Sequence, residues 1–340
     1  MRPIGPQMSG FEEKLKSFLF HSDASLACVE RSVNETRDKS ERAARSEFVW
    51  QITEHILTRR GKRLRPAFVF LSAGQMAADP QRAMLAALAV ELIHTATLLH
   101  DDVIDLSSTR RGLPTVNSKW NNLVSVLMGD YLFSRAFSLL VQADSQALTA
   151  AFSRATERVS VGQLVEIQHI NNLDLSEADY FSLIADKTAS LFAVSCEAGA
   201  ILAERPEPER VKIRDFGEKV GIAFQITDDL LDIVGKEETT GKTAGNDLRE
   251  GKLTLPLIYT LQNGNSRYRK EVVEILRTGT DNGQIELVAQ LVRKAGGVAY
   301  AQRQADKIGQ EAFALLEGLP SSQYKKSLEE IAHFATRRKL

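Results

Sequence analysis

The sequence predicts an all-α protein folded as one large helical domain. Only nine prolines occur in 340 residues, about half of the average usage. Runs in which Val, Ile and Thr alternate with polar residues are scarce, whereas alanine and leucine, which favour helix, are abundant. No linker rich in glycine, proline or serine divides the chain, and no repeat is visible. These observations favour one helical bundle over two domains or a solenoid.

Apolar residues recur at helical spacing in a series of segments that glycine and proline separate. The predicted helices span residues 48–60, 81–105, 123–141, 152–170, 177–203, 210–234, 254–263, 283–295 and 300–316. Asp79 is the expected N-cap of the second helix, because Pro80 suits the first helical position. Turns are expected at residues 111–114, 205–208 and 235–251. The last of these is long, polar and glycine-rich, which is typical of a functional loop.

Charge and cysteine content exclude several classes of protein. Lys and Arg number 43 and Asp and Glu 44, so no basic excess indicates nucleic acid or anionic lipid as a partner. Cys28 and Cys196 are too few for a disulfide framework and predict reduced thiols. The most apolar stretch, residues 83–99, is interrupted by Glu91 and His94, and the N-terminus lacks the pattern of a signal peptide. We therefore expect a cytoplasmic protein without a membrane span.

An aspartate-rich string of the form DDxxD occurs twice, at residues 101–105 and 228–232. Each string follows an apolar helical stretch, and its first and last aspartates share one helix face. Like charges at this spacing repel, and the C-terminal end of a helix disfavours anions further. A cation would remove both penalties, and carboxylates without cysteine partners favour Mg²⁺ held together with phosphate oxygens. Either string alone could equally be a solvated helix end, but the repetition favours a metal site.

Three compact basic groups offer partners for a phosphate. They lie at residues 59–65, 110–111 and 187–188, and the third precedes an apolar helix whose N-terminus attracts anions. Arginine contacts phosphate oxygens through two parallel hydrogen bonds, and lysine acts as a point charge. Each group alone could be a solvated basic turn. Together with the two acidic strings, they indicate a phosphorylated substrate bound with the help of a metal.

Several motifs in a fixed order carry a resemblance to one enzyme family. They are GKRLRP (61–66), HTATLLHDDVID (94–105), STRRG (108–112), GDYLFSRAF (129–137), DKTASL (186–191), FQITDDLLDIVG (224–235) and GKTAGNDLREGKLTLP (241–256). The chain resembles the trans-polyprenyl diphosphate synthases, in particular the long-chain bacterial enzymes of the octaprenyl and solanesyl type. The resemblance implies an isoprenoid-synthase-type helical bundle around a deep central cavity. It places a catalytic domain over residues 46–340 and leaves residues 1–45 as an N-terminal helical segment of unassigned role.

The resemblance also implies roles for individual residues in a Mg²⁺-dependent reaction. The implied metal ligands are Asp101, Asp105, Asp228 and Asp232, which would hold about three Mg²⁺ ions with the substrate phosphates. The implied catalytic residues are Asp101, Asp102, Asp105, Asp228, Asp229 and Lys187. The implied contacts of isopentenyl diphosphate are Lys62, Arg65, His94 and Arg111. The implied contacts of the allylic diphosphate are Arg110, Lys187, Thr188, Gln225, Lys242 and Lys252.

By the same resemblance, the enzyme adds isopentenyl diphosphate to farnesyl or geranylgeranyl diphosphate by ionisation, condensation and elimination. The family is usually homodimeric. A long apolar product would also bring the protein into peripheral contact with a membrane, and quinone side chains are the expected use.

The residues one helical turn before Asp101 bear on product length. They are Ala96 and Thr97, and both are small. In the family, aromatic residues here stop growth at short products, and one turn of about 5.4 Å is close to one isoprene unit. We therefore expect a long product of about C35–C50, with octaprenyl diphosphate as the central value. The alternative is that Ala96 and Thr97 only pack against a neighbouring helix.

Other functions remain open at the level of sequence. A shorter-chain farnesyl or geranylgeranyl synthase, or the catalytic subunit of a heteromeric synthase, would share these motifs. A terpene cyclase could use an aspartate-rich helix but would not need the Lys62 and Arg65 site. Two E-x-x-H pairs, at residues 91–94 and 166–169, would suit a di-iron carboxylate helical bundle. That reading leaves the acidic strings and the basic groups unexplained.

Overall fold

A computed structural model describes residues 2–20, 39–58, 61–234, 245–278 and 281–336. Over these residues the α-helices are α1 (Gly5–Phe20), α2 (Lys39–Thr58), α3 (Leu64–Met76), α4 (Pro80–Ile104), α5 (Val116–Lys119), α6 (Asn122–Gln142), α7 (Gln146–Gln168), α8 (Glu177–Ile184), α9 (Ser190–Leu202), α10 (Glu207–Val234), α11 (Asn246–Arg249), α12 (Leu255–Asn263), α13 (Ser266–Thr278), α14 (Asn282–Lys294), α15 (Gly297–Leu316) and α16 (Gln323–Thr336). A 3₁₀ turn, Arg2–Ile4, precedes α1, and a π-helical turn, Ala185–Ala189, joins α8 to α9. Strands β1 (Thr109–Arg110) and β2 (Leu113–Pro114) form a small antiparallel hairpin. The predicted all-α fold class is confirmed.

The observed helices differ from the predicted ones in that one predicted helix is divided and several helices lie outside the predicted ranges. The helix predicted over residues 177–203 is divided by the π-helical turn, because the backbone there departs from regular α geometry. Helix α1 lies within the N-terminal segment expected to be helical, whereas α3, α5, α11, α13 and α16 were not predicted. The sequence before Pro66 looks like a basic turn, yet α3 begins at Leu64 and accommodates Pro66 in its first turn.

Aromatic residues form the centre of the larger hydrophobic cluster, where α3, α9 and α10 cross. The ring of Phe68 lies 5.7 Å from that of Phe192 and 6.3 Å from that of Phe216, both edge-on. All three are fully buried, and burial of each side chain contributes about 1.5–3 kcal/mol. A second cluster joins α8 to α12–α15 and the C-terminal half of α10. Helix α10 therefore belongs to both clusters and carries the second acidic string.

The N-terminal helix α1 packs into the larger cluster. Ile4, Phe11, Leu15 and Leu19 are all buried in it, and the Phe11 ring lies 6.2 Å from that of Phe70 on α3. The last turn of α1 is also tied to α6: Arg135 donates from Nη2 to the Phe18 carbonyl at 2.7 Å. Its guanidinium lies 3.9 Å from the centre of the Phe18 ring. The position of α1 is therefore fixed by packing along its length.

Helix α4 begins at the predicted cap and ends in the first acidic string. Asp79 accepts a hydrogen bond from the Arg82 backbone N–H at 2.8 Å, and Pro80 is the first helical residue. Both α4 and α6 are long and apolar enough to cross a membrane by composition. However, 67% of the apolar window of α4 and 44% of that of α6 are buried within the fold. The apolar residues of α4 therefore form the core beneath the site.

Of the two cysteines, Cys196 lies within the described residues and Cys28 does not. Cys196 is a free, fully buried thiol on α9, as predicted for a structural cysteine. Burial raises the pKa of its thiol above the ordinary value, so it stays protonated.

The crossing of α3 and α9 depends on a glycine, which gives a stability prediction. A Cβ at Gly199 would overlap the backbone of Ser72 and Ala73, which is not free to move. We expect Gly199→Ala to destabilise the protein by about 1–3 kcal/mol, measured from its thermal unfolding midpoint. Gly10 on α1 is the matched control, since a Cβ there meets nothing within 4 Å. Gly10→Ala should be neutral or stabilising. Equal stability of the two variants would contradict the prediction.

Candidate active site

The first acidic string ends α4 and divides into two roles. Asp101 and Asp102 lie in the last helical turn, and Asp105 follows as the C-cap, its N–H donating to the Asp101 carbonyl at 2.8 Å. Asp102 is only 1% exposed and accepts a hydrogen bond from Arg110 Nε at 2.6 Å. This ion pair fixes the β1–β2 hairpin, which also carries Arg111, onto the end of α4. Asp102 therefore holds Arg110, which is a predicted contact of the allylic diphosphate. Asp101 and Asp105 lie one helical turn apart.

The carboxyl group of Asp101 is electrostatically unfavourable as an anion. Burial raises its pKa to about 6. Lys187 opposes this shift, whereas Asp105 and Glu166 add to it. A carboxylate in this position is stabilised by an added positive charge, which is the property expected of a metal ligand.

Two lysines connect the first acidic string to the opposite wall. Lys252 Nζ lies 3.0 Å from Asp105 Oδ1 and 2.7 Å from Glu250 Oε2. Lys187 pairs with Glu166 on α7, which also lies 3.7 Å from Lys252 Nζ. Both lysines were predicted to contact the allylic diphosphate, and in the structure carboxylates hold both. Burial opposes the charge of Lys252, but Glu166 and Asp105 outweigh it and raise its pKa above the ordinary value.

The second acidic string lies in the last two turns of α10, around a buried hydrogen-bond network. Asp229 is 4% exposed and accepts hydrogen bonds from Tyr180 Oη at 2.6 Å and Gln225 Nε2 at 2.7 Å. Thr188 Oγ1 in turn donates to Gln225 Oε1 at 2.8 Å. Burial raises the pKa of Asp229 to about 7, although both hydrogen bonds act in the opposite direction. The network joins α8, the π-helical turn and α10 through one carboxylate.

Asp232, predicted as a metal ligand, holds the end of the glycine-rich loop. Its carboxylate accepts the backbone N–H groups of Asn246 at 3.1 Å and of Asp247 at 3.0 Å, and its carbonyl accepts that of Gly245. The short helix α11 is thereby fixed to α10. Burial, with repulsion from Asp232 and Asp229, raises the pKa of Asp247 well above its usual range. Lys242 lies outside the described residues.

Lys187 and Lys252 line a cavity together with Glu166, Asp247 and Asp229 of the second acidic string. The first string reaches this cavity through the ion pair between Asp105 and Lys252. The π-helical turn that carries Lys187 is held from behind by Arg158. This side chain donates to Asp186 and to Glu218, both at 2.6 Å. The cavity therefore combines fixed cations with a surrounding set of carboxylates.

A second cavity lies along α4 and is cationic at one end. Arg63, His94, Arg110 and Arg111 line this end. Burial, with the positive charges of Arg65 and Arg111, lowers the pKa of His94 well below its ordinary value, so the imidazole is neutral. The structure thus brings His94 and Arg111 together as predicted.

Lys62 and Arg65 lie at the start of α3: Lys62 just precedes the helix, and Arg65 is in its first turn. The Arg65 guanidinium lies 4.5 Å from the centre of the Phe192 ring, in a cation–π contact. Burial lowers its pKa to about 10, against the attraction of Glu91 and Asp228. Lys62 is exposed, with Nζ 5.2 Å from the ring centre of Phe334 on α16. The electrostatic effect of Asp228 on Arg65 relates the second acidic string to the arginine group.

The residues predicted to limit chain length are packed in the helix. Ala96 is fully buried in the hydrophobic core, and Thr97 Oγ1 donates to the His94 carbonyl at 2.8 Å. Neither residue is among those lining the two cavities described above. This placement agrees with the packing alternative, and their role in product length stays a prediction.

The donor set suits a hard divalent cation that shares its coordination with substrate oxygens. Within the described residues, no three His, Cys, Asp or Glu side chains converge closely enough to hold a metal alone. The carboxylates occur as pairs on helices, with raised pKa values at Asp101 and Asp229. Mg²⁺ is commonly bound by one or two carboxylates with phosphate and water. The residues present therefore fit such an ion.

A di-iron site requires the two E-x-x-H pairs to converge, but Glu91 and His94 line one cavity and Glu166 and His169 line the other. Glu91 is paired with Arg63 at 2.5 Å, and Glu166 is paired with Lys187. Each glutamate of the E-x-x-H pairs is thus neutralised by a cation rather than directed at a second histidine–carboxylate pair.

Sequence reasoning assigned no role in this site to Tyr180, Glu166, Arg63 or Glu91. The available signals were that Arg63 belongs to the basic group 59–65, that Glu91 interrupts the most apolar stretch, and that Glu91 and Glu166 each begin an E-x-x-H pair.

Comparisons with known proteins agree with this geometry. A family profile described as polyprenyl synthetase matches residues 46–294. An all-trans-nonaprenyl-diphosphate synthase (geranyl-diphosphate specific) from Rhodobacter capsulatus is 39% identical over 289 residues, which cover 85% of this chain and 88% of that protein. Component 2 of heptaprenyl diphosphate synthase from Geobacillus stearothermophilus is 35% identical over 327 residues, covering 96% and 99%. The crystal structure of a polyprenyl synthase from Caulobacter crescentus CB15, complexed with calcium and isoprenyl diphosphate, has a TM-score of 0.85 at 33% identity, covering 100% and 97%.

Fold and site together define a helical prenyltransferase that acts on diphosphates. Within that class, the chain belongs to the polyprenyl synthetase family. Membership implies prenyl diphosphate substrates and a requirement for a divalent metal. The names of the relatives span geranylgeranyl, heptaprenyl, octaprenyl and nonaprenyl products, so product length varies within the family.

The Tyr180–Asp229 hydrogen bond gives a prediction that isolates the second acidic string. We expect Tyr180→Phe to lower turnover about 3- to 30-fold, because a hydrogen bond to a charged group contributes roughly 1.5–3 kcal/mol and partial compensation by Gln225 remains. Tyr300→Phe is the matched control. Tyr300 Oη donates to Glu177 at 2.7 Å and so forms the same kind of bond, with a carboxylate outside this network. Equal loss of turnover in both variants would show that the effect is only structural.

Proposed function

We propose that this protein is a Mg²⁺-dependent, long-chain trans-polyprenyl diphosphate synthase. It condenses isopentenyl diphosphate onto an allylic diphosphate such as farnesyl or geranylgeranyl diphosphate. The allylic carbon–oxygen bond breaks, the double bond of isopentenyl diphosphate attacks that carbon, and a proton then leaves to the departed diphosphate. One observation carries the proposal: Asp105 of the first acidic string pairs with Lys252, Asp229 of the second string lines one cavity with Lys187 and Lys252, and an arginine–histidine group lines another cavity.

Asp101, Asp105 and Asp228 are the proposed ligands of about three Mg²⁺ ions, with Asp232 in support, shared with the substrate phosphates. When bound, these ions neutralise the charge that develops on the leaving diphosphate. The raised pKa of Asp101 supports this role, because a nearby cation favours the charged carboxylate.

The side chains around the ligands bind and orient the allylic diphosphate. Lys187, Lys252 and Arg110 are paired with carboxylates in this structure, and a diphosphate offers them oxygen acceptors of the same charge. Thr188 and Gln225 link this group to Asp229 through hydrogen bonds. The lysines are therefore pre-positioned and lose little side-chain freedom on binding the substrate.

The arginine–histidine group, which contains Arg65, His94 and Arg111, binds isopentenyl diphosphate without a metal. Arg65 and Arg111 supply positive charge, and Lys62 at the exposed rim adds to it. The neutral imidazole of His94 can donate one hydrogen bond without adding to the repulsion among the arginines. This group fixes the second substrate for attack.

A product assay tests the proposed reaction. The purified chain, given isopentenyl diphosphate, farnesyl diphosphate and Mg²⁺, should form polyprenyl diphosphates detectable by mass, and EDTA should abolish them. Asp101→Ala and Asp228→Ala should each lower turnover about 100-fold or more, since charge stabilisation at the leaving group is lost. Asp215→Ala is the control, because Asp215 lies on α10 and, among the residues that the structure describes, pairs with its neighbour Arg214. Wild-type activity in Asp101→Ala would refute the assignment.

The same sample tests whether one chain is sufficient. Apolar side chains are exposed in the N-terminal part of α6 and the C-terminal part of α7, namely Leu123, Val126, Leu127, Val161, Leu164 and Ile167. A face of this kind favours burial against another protein. We propose that a second copy covers it, giving a homodimer that light scattering would detect. A monomer that makes no product would instead favour a heteromeric synthase, as the name component 2 suggests for the Geobacillus relative.

We propose a product of about C35–C50, with octaprenyl as the central value, because small residues precede Asp101 by about one helical turn of 5.4 Å. Several relatives carry octaprenyl or nonaprenyl in their names, which supports this range. A cytoplasmic location, contact with the membrane during product release and use in quinone side chains complete the proposal.

A chain-length assay tests Ala96 and Thr97. Thr97→Phe and Ala96→Phe should shorten the product by several isoprene units, because a ring would block the growing chain one turn, about 5.4 Å, below Asp101. Thr97 is half-buried, so its variant is the less disruptive to folding. Thr97→Val is the control, as it keeps the volume and removes only the hydroxyl. An unchanged product distribution in a folded Thr97→Phe variant would favour the packing alternative.

A further inference from the structure

The N-terminal helix α1 reaches the arginine–histidine group proposed to bind isopentenyl diphosphate. Leu15 and Leu19 of α1 line the same cavity as His94 and Arg111. Residues 1–45 had no assigned role, and the family profile begins at residue 46. The question is therefore what α1 contributes to this half of the site.

Arg63 makes the connection. It lies between Lys62 and Arg65, and its own side chain is only 9% exposed. Its Nη1 lies 2.5 Å from Glu91 Oε1 on α4, and its Nε lies 2.9 Å from Glu12 Oε1 on α1. One guanidinium thus joins two carboxylates from two different helices. Because the guanidinium is planar and its donors are fixed, two such bonds set both its position and its direction.

The backbone at Arg63 needs this support. Arg63 adopts left-handed backbone angles, φ 51° and ψ 39°, immediately before α3. A residue with a side chain occupies this region only at an energetic cost, and surrounding contacts must maintain it. The conformation of Arg63 determines how the chain leads from Lys62 into Arg65. Its two ion pairs therefore hold the backbone that presents both predicted ligands.

Glu12 is suited to transmit this restraint because α1 is rigidly held. Phe11 and Leu15, on either side of Glu12, are buried in the core, and the end of α1 is tied to Arg135. Glu91 alone does not balance the charge of all the arginines in this group. It also attracts Arg65 and Arg111 electrostatically, so its charge is shared among three arginines.

We propose that Glu12 is a positioning residue for isopentenyl diphosphate, acting through Arg63. The inference rests on the proposed function of the Lys62–Arg65 segment. It assigns α1 to the isopentenyl half of the active site and gives no part to the allylic half. Glu12 is 40% exposed, so its effect is moderate rather than complete.

The test separates binding from turnover. Calorimetric titration of the full chain with isopentenyl diphosphate should show about 3- to 10-fold weaker binding for Glu12→Ala than for the wild type. Glu12→Gln should fall between the two, because an amide oxygen still accepts from Arg63. In steady-state kinetics, the KM for isopentenyl diphosphate should rise in parallel, while kcat and the KM for farnesyl diphosphate stay unchanged.

Glu13→Ala is the matched control, as it removes the same charge from the adjacent, exposed position. Unchanged or tighter binding in Glu12→Ala would overturn the proposal, since pure charge removal would favour the anion. Equal losses for both substrates, or a similar loss in Glu13→Ala, would also overturn it. If the wild-type protein binds isopentenyl diphosphate but forms no product, the proposed function is refuted. The binding of the variants can still be compared in that case.

Discussion

Compensation of buried charge is the constraint on which the site depends. Three carboxylates, those of Asp105, Glu166 and Glu250, and two lysines form one ion-pair cluster beside the end of α4, and no single pair accounts for all of them. Glu166 is shared by Lys187 and Lys252, and Lys252 also binds Asp105. Since an unpaired buried charge costs several kcal/mol, loss of one partner would disturb the others. The charge of Asp105 in the first acidic string is therefore balanced by a lysine from a distant part of the chain.

The hydrophobic core determines where these charges meet. Helix α10 packs into both apolar clusters, so the second acidic string is fixed relative to α3 and to α12–α15 at once. The aromatic crossing around Phe68 places the Phe192 ring below Arg65. The positions of the charged groups thus follow from helix packing, which is far less adaptable than the side chains themselves.

Sequence reasoning identified the fold class, most helices and both acidic strings, because these depend on local spacing. The DDxxD strings are visible from helical periodicity, and Asp79 before Pro80 correctly marks the start of α4. The partners of these residues were not accessible in this way. Tyr180 is separated from Asp229 by 49 residues, and Glu12 from Arg63 by 51. Nothing in a local pattern indicates that a tyrosine or a glutamate on a distant helix will form such a contact.

The π-helical turn at Ala185–Ala189 illustrates a different kind of dependence. Gly162 on α7 faces this turn, and a Cβ on it would lie 2.6 Å from the backbone nitrogen of Lys187. The close approach of α7 to the π-helical turn therefore requires a residue without a side chain at position 162. An inventory of charged and polar groups would overlook this position, although it governs how far Lys187 extends toward Glu166. The position of Lys187 thus depends on unoccupied volume beside the neighbouring helix, and a larger residue at position 162 would displace the lysine without altering any charged group.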